Sequence, residues 1–383
     1  MSFLSFMKKF KAAIIGLLIV LMVVLSAMFT SMDVFAQQHD DHQDDALTTE
    51  EQAGKAEVDA GKIIIKHLVD SHEWHLWTYK GHHVSIPLPV LLIHDGSFYA
   101  FMSSKIAHGH HHKGFYIAEK GENKGKIVRE AGKDENGYAL EELPTDLSIT
   151  KNVLAILMSS VLLIVMFTSI AKSYRRREGE APKGLQSFME PLILFVRDDI
   201  AKSSIGEKKY ERYMPFLLTI FFFIFLNNLM GLIPFFPGGA NVTGNIAVTG
   251  VMAVFTFLIT TFSGNRAYWQ HIINAPGVPW WLKFPIPLMP IVEIVGIFTK
   301  PFVLMVRLFA NITAGHTIIL GFISLIFIFG NLNTFLGFGI GIGFSIPFAV
   351  FMSLLELLVA FIQAYVFTLL SALYFGMAIE EHH

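Results

Sequence analysis

Long apolar runs with short polar breaks dominate the second half of the chain. The runs at about 153–171, 214–234 and 245–263 each have the length that one helix needs to cross a bilayer, roughly 20 residues at about 1.5 Å rise. Two further runs, at about 288–329 and 344–378, are longer still. The first is long enough for two crossings, but no turn chemistry divides it. Lys300-Pro301 marks a kink rather than a hairpin loop, and the Gly337 to Gly343 stretch offers the turn between the two long runs. The pattern predicts an all-α polytopic membrane protein with about five membrane-embedded helices, the last two long and strongly tilted.

The first half reads differently. Within 62–145, apolar and polar residues form short strand-like runs at Ile63 to Ile65, Trp74 to Tyr79, Val84 to Ile93 and Phe98 to Met102, broken by Gly, Pro and the turn pair Asp95-Gly96. This predicts a small β-rich domain. Residues 37–61 are acidic and poor in large apolar side chains, as a flexible leader is. Residues 1–36 read as an export signal: Lys8, Lys9 and Lys11 precede an apolar run from Ala12 to about Met28, and Val34-Phe35-Ala36 offers a small-x-small cleavage site. An uncleaved first membrane helix is the alternative. Either delivers the β-rich domain to the outside.

Charge then orients the membrane part. Arg175, Arg176 and Arg177 follow the first run at once, which places that end in the cytoplasm. The basic stretch from Ala181 to Arg212 stays there, with Phe188 to Val196 either lying on the membrane surface as an amphipathic helix or packing as one helix in a loop. Tyr213 to Asn265 contains no charged residue, and the link from Phe235 to Gly244 lacks Lys and Arg, as an outer loop does. Ala267 to Pro287, with Trp269, Trp280 and Trp281, reads as an interfacial connector. Composition agrees: 53% of the 383 residues are hydrophobic and 16% charged. A net charge of −2 gives no reason to expect a nucleic acid, and the absence of cysteine excludes disulfides and thiolate metal sites.

Twelve of the sixteen histidines precede Pro144, including His82-His83 and His108-Gly-His110-His111-His112. Imidazoles are common ligands of zinc and copper. No spacing here matches a dedicated site, so a solvated polar surface is the plainer reading, with no metal and no cofactor expected.

From Phe284 to Ile379 only Glu293, Lys300, Arg307 and Glu356 carry a full charge. A charge at membrane depth costs several kcal/mol and usually marks an ion path. Arg307 cannot avoid that cost by losing its proton. Around it runs Arg307-Leu-Phe-Ala-Asn-Ile-Thr-Ala-Gly-His316, with Lys300-Pro301 upstream and Glu293 further back. Together with Gln363-Ala-Tyr-Val-Phe367 and Asn228-Leu-Met-Gly-Leu-Ile-Pro234, this stretch resembles subunit a of the F-type ATP synthases, over roughly Leu147 to His383. The resemblance implies two long, nearly membrane-parallel helices packed as a hairpin against a ring of small rotor subunits, subunit c, each carrying a carboxylate. It implies a peripheral-stalk subunit b and the remaining synthase subunits as partners, and a place in the bacterial inner membrane with the C-terminus in the cytoplasm.

Helical arithmetic adds detail. At about 100° per residue, Glu293, Lys300, Arg307 and Ala314 share one stripe, joined by Asn311, while His316 points to the opposite side. Glu356 and Gln363 share a face of the last helix. If Gln363 lies level with Arg307, Glu356 stands about 10 Å outward, near the level of His316. A carboxylate and an imidazole would then meet and relay protons. Many members of the family carry the same two residue types exchanged between these positions.

The reading is a stator subunit of a rotary ATP synthase with two offset proton half-channels separated by Arg307. The outer path lies near Asn311, His316 and Glu356, and the inner path near Glu293. Lys300 either supports the inner path or snorkels to the cytoplasmic surface. No catalytic site of its own is expected, and no Gly-x-x-x-x-Gly-Lys-Ser/Thr loop is present. The alternatives are a free-standing proton-coupled transporter or channel, for which no internal repeat is evident, and a structural scaffold with a buried polar seam, which leaves Arg307 unexplained.

Overall fold

The fold is that of a computed structural model, which describes residues 70–79, 82–118, 123–133, 139–177, 180–233, 236–273, 288–332, 339 and 342–380. The expected signal, the leader, the Ile63 to Ile65 strand and most of the Ala267 to Pro287 connector and of the Gly337 to Gly343 turn lie outside the described residues.

The N-terminal part is β-rich. Strands β1 (Glu73–Tyr79) and β2 (His82–Pro87) form an antiparallel pair. Strand β3 (Pro89–His94) is central to a second sheet, between β4 (Ser97–Met102) and β8 (Thr145–Asp146). A third sheet has the order β5 (Phe115–Ile117), β6 (Ile127–Lys133), β7 (Ala139–Glu142). The expected run from Val84 to Ile93 divides at Leu88, because Pro87 and Pro89 remove two ladder donors. The β3–β4 hairpin turns at Asp95 and Gly96, both left-handed with φ of 49° and 70°, the geometry of a tight hairpin turn. Val90, Leu92, Phe101, Ile106, Phe115 and Ile127 form the core of this domain.

The rest is helical. Helix α1 (Lys151–Arg176) is capped by Thr150, whose hydroxyl accepts from the Val153 N–H at 3.4 Å. Helix α2 (Leu185–Phe195) follows and continues through a π-helical turn, Val196–Lys202, with Arg197 paired to Asp198 at 2.7 Å. Phe188 is exposed, whereas Phe195 packs on Phe221, Phe361 and Tyr365. Helices α3 (Tyr210–Gly231), α4 (Ile246–Ser263) and α5 (Arg266–Ile273) come next. The last two are α6 (Leu288–Leu332), 45 residues, and α7 (Gly343–Ile379), 37 residues. Helix α6 passes through Pro301 as one element. At about 1.5 Å per residue it is roughly 68 Å long and cannot stand upright in a hydrocarbon core of about 30 Å.

Among the described residues, α1, α3, α4 and α7 are long and apolar enough to cross a membrane by length and composition. Helix α3 is the centre of the bundle, with Leu217, Leu218, Phe221 and Ile224 buried. Helix α7 leaves much of one side bare, including Phe351, Leu354 and Leu358. The chain is thus a mostly helical polytopic membrane protein carrying an N-terminal β-rich domain.

Candidate functional site

The two long helices run antiparallel, and contacts between them fix the register. The rings of Phe322 and Phe348 are 4.2 Å apart, Nδ1 of His316 is 3.2 Å from Oε1 of Glu356, and the Lys300 ammonium lies 5.7 Å from the centre of the Tyr374 ring. Arg307 on α6 and Gln363 on α7 fall between the last two of these contacts, within about one helical turn of the same level.

Glu356 is 5% exposed and His316 17%. Their contact does not have the angle of a hydrogen bond, and both Glu356 oxygens are buried without a hydrogen-bond partner. Buried polar groups are nearly always satisfied, so the exceptions mark functional sites. Two glycines make the room. A Cβ at Gly315 would stand 2.9 Å from Glu356 Oε1, and one at Gly231 on α3 would stand 3.4 Å from His316 Nε2. Nearby, Asn228 of α3 accepts a short hydrogen bond from the Thr243 hydroxyl and donates to the carbonyl of Ala360 at 3.5 Å. These polar and glycine positions were not singled out from the sequence as site residues, although Asn228 and Gly231 both stand in the Asn228 to Pro234 motif.

Arg307 occupies a different face. With Ala310, Asn311 and Ala314 it is exposed on α6, and among the described residues it forms no ion pair. Two of its neighbours are alanines, so another helix could approach the guanidinium closely. Gln363 is buried on α7. Glu293 and Lys300, expected on the same stripe as Arg307, are half-buried instead. Lys300 turns to Tyr374 beside Thr260 and Pro301, and Glu293 lies within electrostatic reach of Tyr268. The seven residues therefore divide into a buried pair, His316 and Glu356, an open face carrying Arg307 and Asn311, buried Gln363 level with that face, and a cluster toward the other end around Glu293 and Lys300.

A model described as ATP synthase A chain matches residues 153–376, more than half of the chain. The chain belongs to the ATP synthase A chain family. Among its relatives, ATP synthase subunit a 2 of Chlorobaculum tepidum is 47% identical over 245 residues, 62% of this chain and 65% of the relative. ATP synthase subunit a of Chloroherpeton thalassium is 44% identical over 245 residues, 62% of this chain and 69% of the relative. ATP synthase subunit a of Chlorobium phaeobacteroides is 41% identical over 285 residues, 69% of this chain and 79% of the relative. The chain thus spans slightly less than two thirds of the first of these. All seven site residues fall within the ATP synthase A chain match. The β-rich part falls outside it, and a second family model, a domain of unknown function (DUF8433), matches residues 63–147.

Proposed function

We propose that this chain is the stator subunit of a rotary ATP synthase and carries protons through two offset half-channels. The observation that supports this best is the separation of two chemistries on α6: a buried, hydrogen-bond-free carboxylate beside an imidazole on one side, and a permanent cation on an open face of small residues on the other. A proton from the outside reaches Glu356 and His316 and moves past Asn311 to a carboxylate on a neighbouring rotor subunit. The neutralised carboxyl can face lipid at little cost, so the ring can turn. After nearly a full turn it meets the inner half-channel near Glu293 and releases its proton. Arg307 stands between the two paths. It repels protons that would pass straight through, and it favours the ionised form of the carboxylate. Each charge moved down the membrane potential contributes about 2.3 kcal/mol per 100 mV.

In this reading the β-rich domain is exported and the C-terminus is cytoplasmic, in the inner membrane of a bacterium. The partners are the subunit c ring, the peripheral-stalk subunit b and the remaining synthase subunits. The chain has no ATP site, and Gln363 helps to hold Arg307 at its level. Purification in mild detergent tests the assignment, since a stator comes out with a ring of small two-helix subunits and a free-standing transporter does not. Vesicle acidification driven by ATP, with and without sodium, tests the choice of ion. Equal pumping in both supports protons.

A further inference from the structure

The β-rich domain meets the membrane bundle at the end where His316 and Glu356 lie. Trp74 of β1 is buried in the same apolar cluster as α3, and its ring stands edge-on to Phe236 of the outer loop at 5.3 Å. The chain just before β1 closes on the first turn of α1. The Ser71 carbonyl accepts from the Lys151 N–H at 2.9 Å, and Asp70 Oδ1 accepts from the Asn152 N–H at 3.0 Å. Asp70 Oδ2 is buried without a hydrogen-bond partner, as is Asn152 Oδ1. Lys151, itself 8% exposed, lies within electrostatic reach of the Asp70 carboxylate on one side and of the His316 ring on the other. Orphaned polar atoms thus occur at both ends of a short series that runs from Asp70 through Lys151 to His316 and Glu356. Such atoms are the ones that ordered water serves.

We propose that the β-rich domain is the outer gate of the proton path, with Asp70 as its proton-accepting group and Lys151 as the charge that directs the proton inward. This rests on the stator reading above. A proton from outer water binds Asp70 Oδ2 and passes through the polar groups of the junction to the His316 ring and then to Glu356, which restores the Asp70 carboxylate. While Asp70 is ionised, its charge offsets that of Lys151. Once it takes up a proton, Lys151 stands uncompensated and repels positive charge on His316, so a proton there moves on to Glu356. Burial pushes the Asp70 carboxyl above its ordinary value against the opposing influence of Thr150, Asn152, Lys151 and His72, which brings its titration nearer to working pH. The charged groups facing this junction are Lys151 from α1, His72 with its partner Asp146 from the β-rich domain, and Glu356 from α7 beyond His316.

Asp70 also caps α1, and the test separates that role from proton transfer. Asp70→Asn keeps an oxygen for the Asn152 N–H but cannot carry a proton. ATP synthesis is measured on the intact synthase in inverted vesicles as lumenal pH is varied, at matched amounts of assembled complex. Asp70→Asn is expected to slow synthesis at least about tenfold, less than the ~100-fold typical of a positioned proton-transfer group because water can partly replace it. Its lumenal pH profile should flatten. Lys151→Met, with Asp70 intact, should move the half-maximal point to higher pH, because a repelling charge has gone. Parental rates and pH profiles in both variants, with His316→Ala still slow, would overturn the gate and leave Asp70 as a helix cap. Parental rates in Arg307→Ala and His316→Ala as well would overturn the stator reading and the gate together.

Discussion

The Glu356 carboxylate rests on the backbone of Gly315, where a Cβ would come within 2.9 Å of Oε1 and 3.1 Å of Cδ. No side chain fits there unless Glu356 moves. Forcing a methyl into a packed site of this kind costs about 1–3 kcal/mol, and the carboxylate would relieve the clash by leaving His316. Gly315→Ala is therefore expected to cut ATP-driven proton pumping several-fold while the synthase still assembles. Gly321, two turns on, has nothing within 4 Å of a Cβ. Gly321→Ala should pump normally and gain about 0.5–1 kcal/mol of helix stability. Dye quenching in inverted vesicles, at equal complex content, compares the two.

Arg307 faces outward from α6 with no carboxylate of its own chain among the described residues in ion-pair range. Its counter-charge in the proposed mechanism comes from the rotor. Arg307→Ala should abolish coupled ATP synthesis and leave assembly largely intact, because the side chain holds no part of the described bundle together. Arg307→Lys should fail as well, since lysine lacks the planar fork and can lose its proton when desolvated. Normal proton-driven synthesis in Arg307→Ala membranes would be incompatible with a separating role.

Acid should loosen the β-rich domain through Asp146. Its Oδ2 lies 2.8 Å from Nε2 of His72, and its Oδ1 accepts from the Ser148 N–H at 2.8 Å. Burial pushes this carboxyl up, but His72 and Ser148 together outweigh it, and the net shift is below the ordinary value of 3.8. A carboxyl lowered by folding contributes stability that is fully present above 3.8 and is lost as pH falls through its folded value. Asp146→Asn should remove that acid-sensitive increment and cost about 1 kcal/mol at neutral pH, a modest figure because the side chain is a third exposed. Hydrogen exchange at the Leu92 and Asp146 amides in the full-length chain, at neutral and acid pH, reads both effects.

The helices were legible in the sequence because membrane burial demands long uninterrupted apolar stretches, and little else produces them. The level of His316 with Glu356 was legible too, since helical rise and one assumed register suffice to place them together. The strands β5 to β7 were not. They are short, and Arg129, Glu130, Glu141 and Glu142 break the alternation that a half-buried strand shows. Nor could periodicity place Asp70 and Lys151 beside His316, because that junction joins two folding units and depends on Trp74 meeting Phe236. The same limit hid Gly315. A glycine inside an apolar helix looks like any other until the partner helix shows which side chain lies over it.

His316 and Glu356 should behave as one titrating unit. They are in contact, both are shielded from solvent, and neither Glu356 oxygen has another hydrogen-bond partner. His316→Ala leaves a lone carboxyl in an apolar pocket, where the neutral form is favoured and the proton is held rather than relayed. Glu356→Ala leaves an imidazole without the charge that stabilises its protonated form. Each single change is expected to slow proton uptake. The exchange His316→Glu with Glu356→His returns both chemical types to the same contact. Its fit is helped by the open space that Gly231 and Gly315 leave around the two side chains. The doubly exchanged protein should therefore pump faster than either alanine variant, though slower than the parent, because the glutamate now faces Gly231 and the larger ring now lies over Gly315. The measurement is ATP-driven quenching of a pH dye in inverted vesicles at matched complex levels. An exchanged protein no better than the worse alanine variant would show that the two residues act separately, and that their contact between α6 and α7 carries no proton.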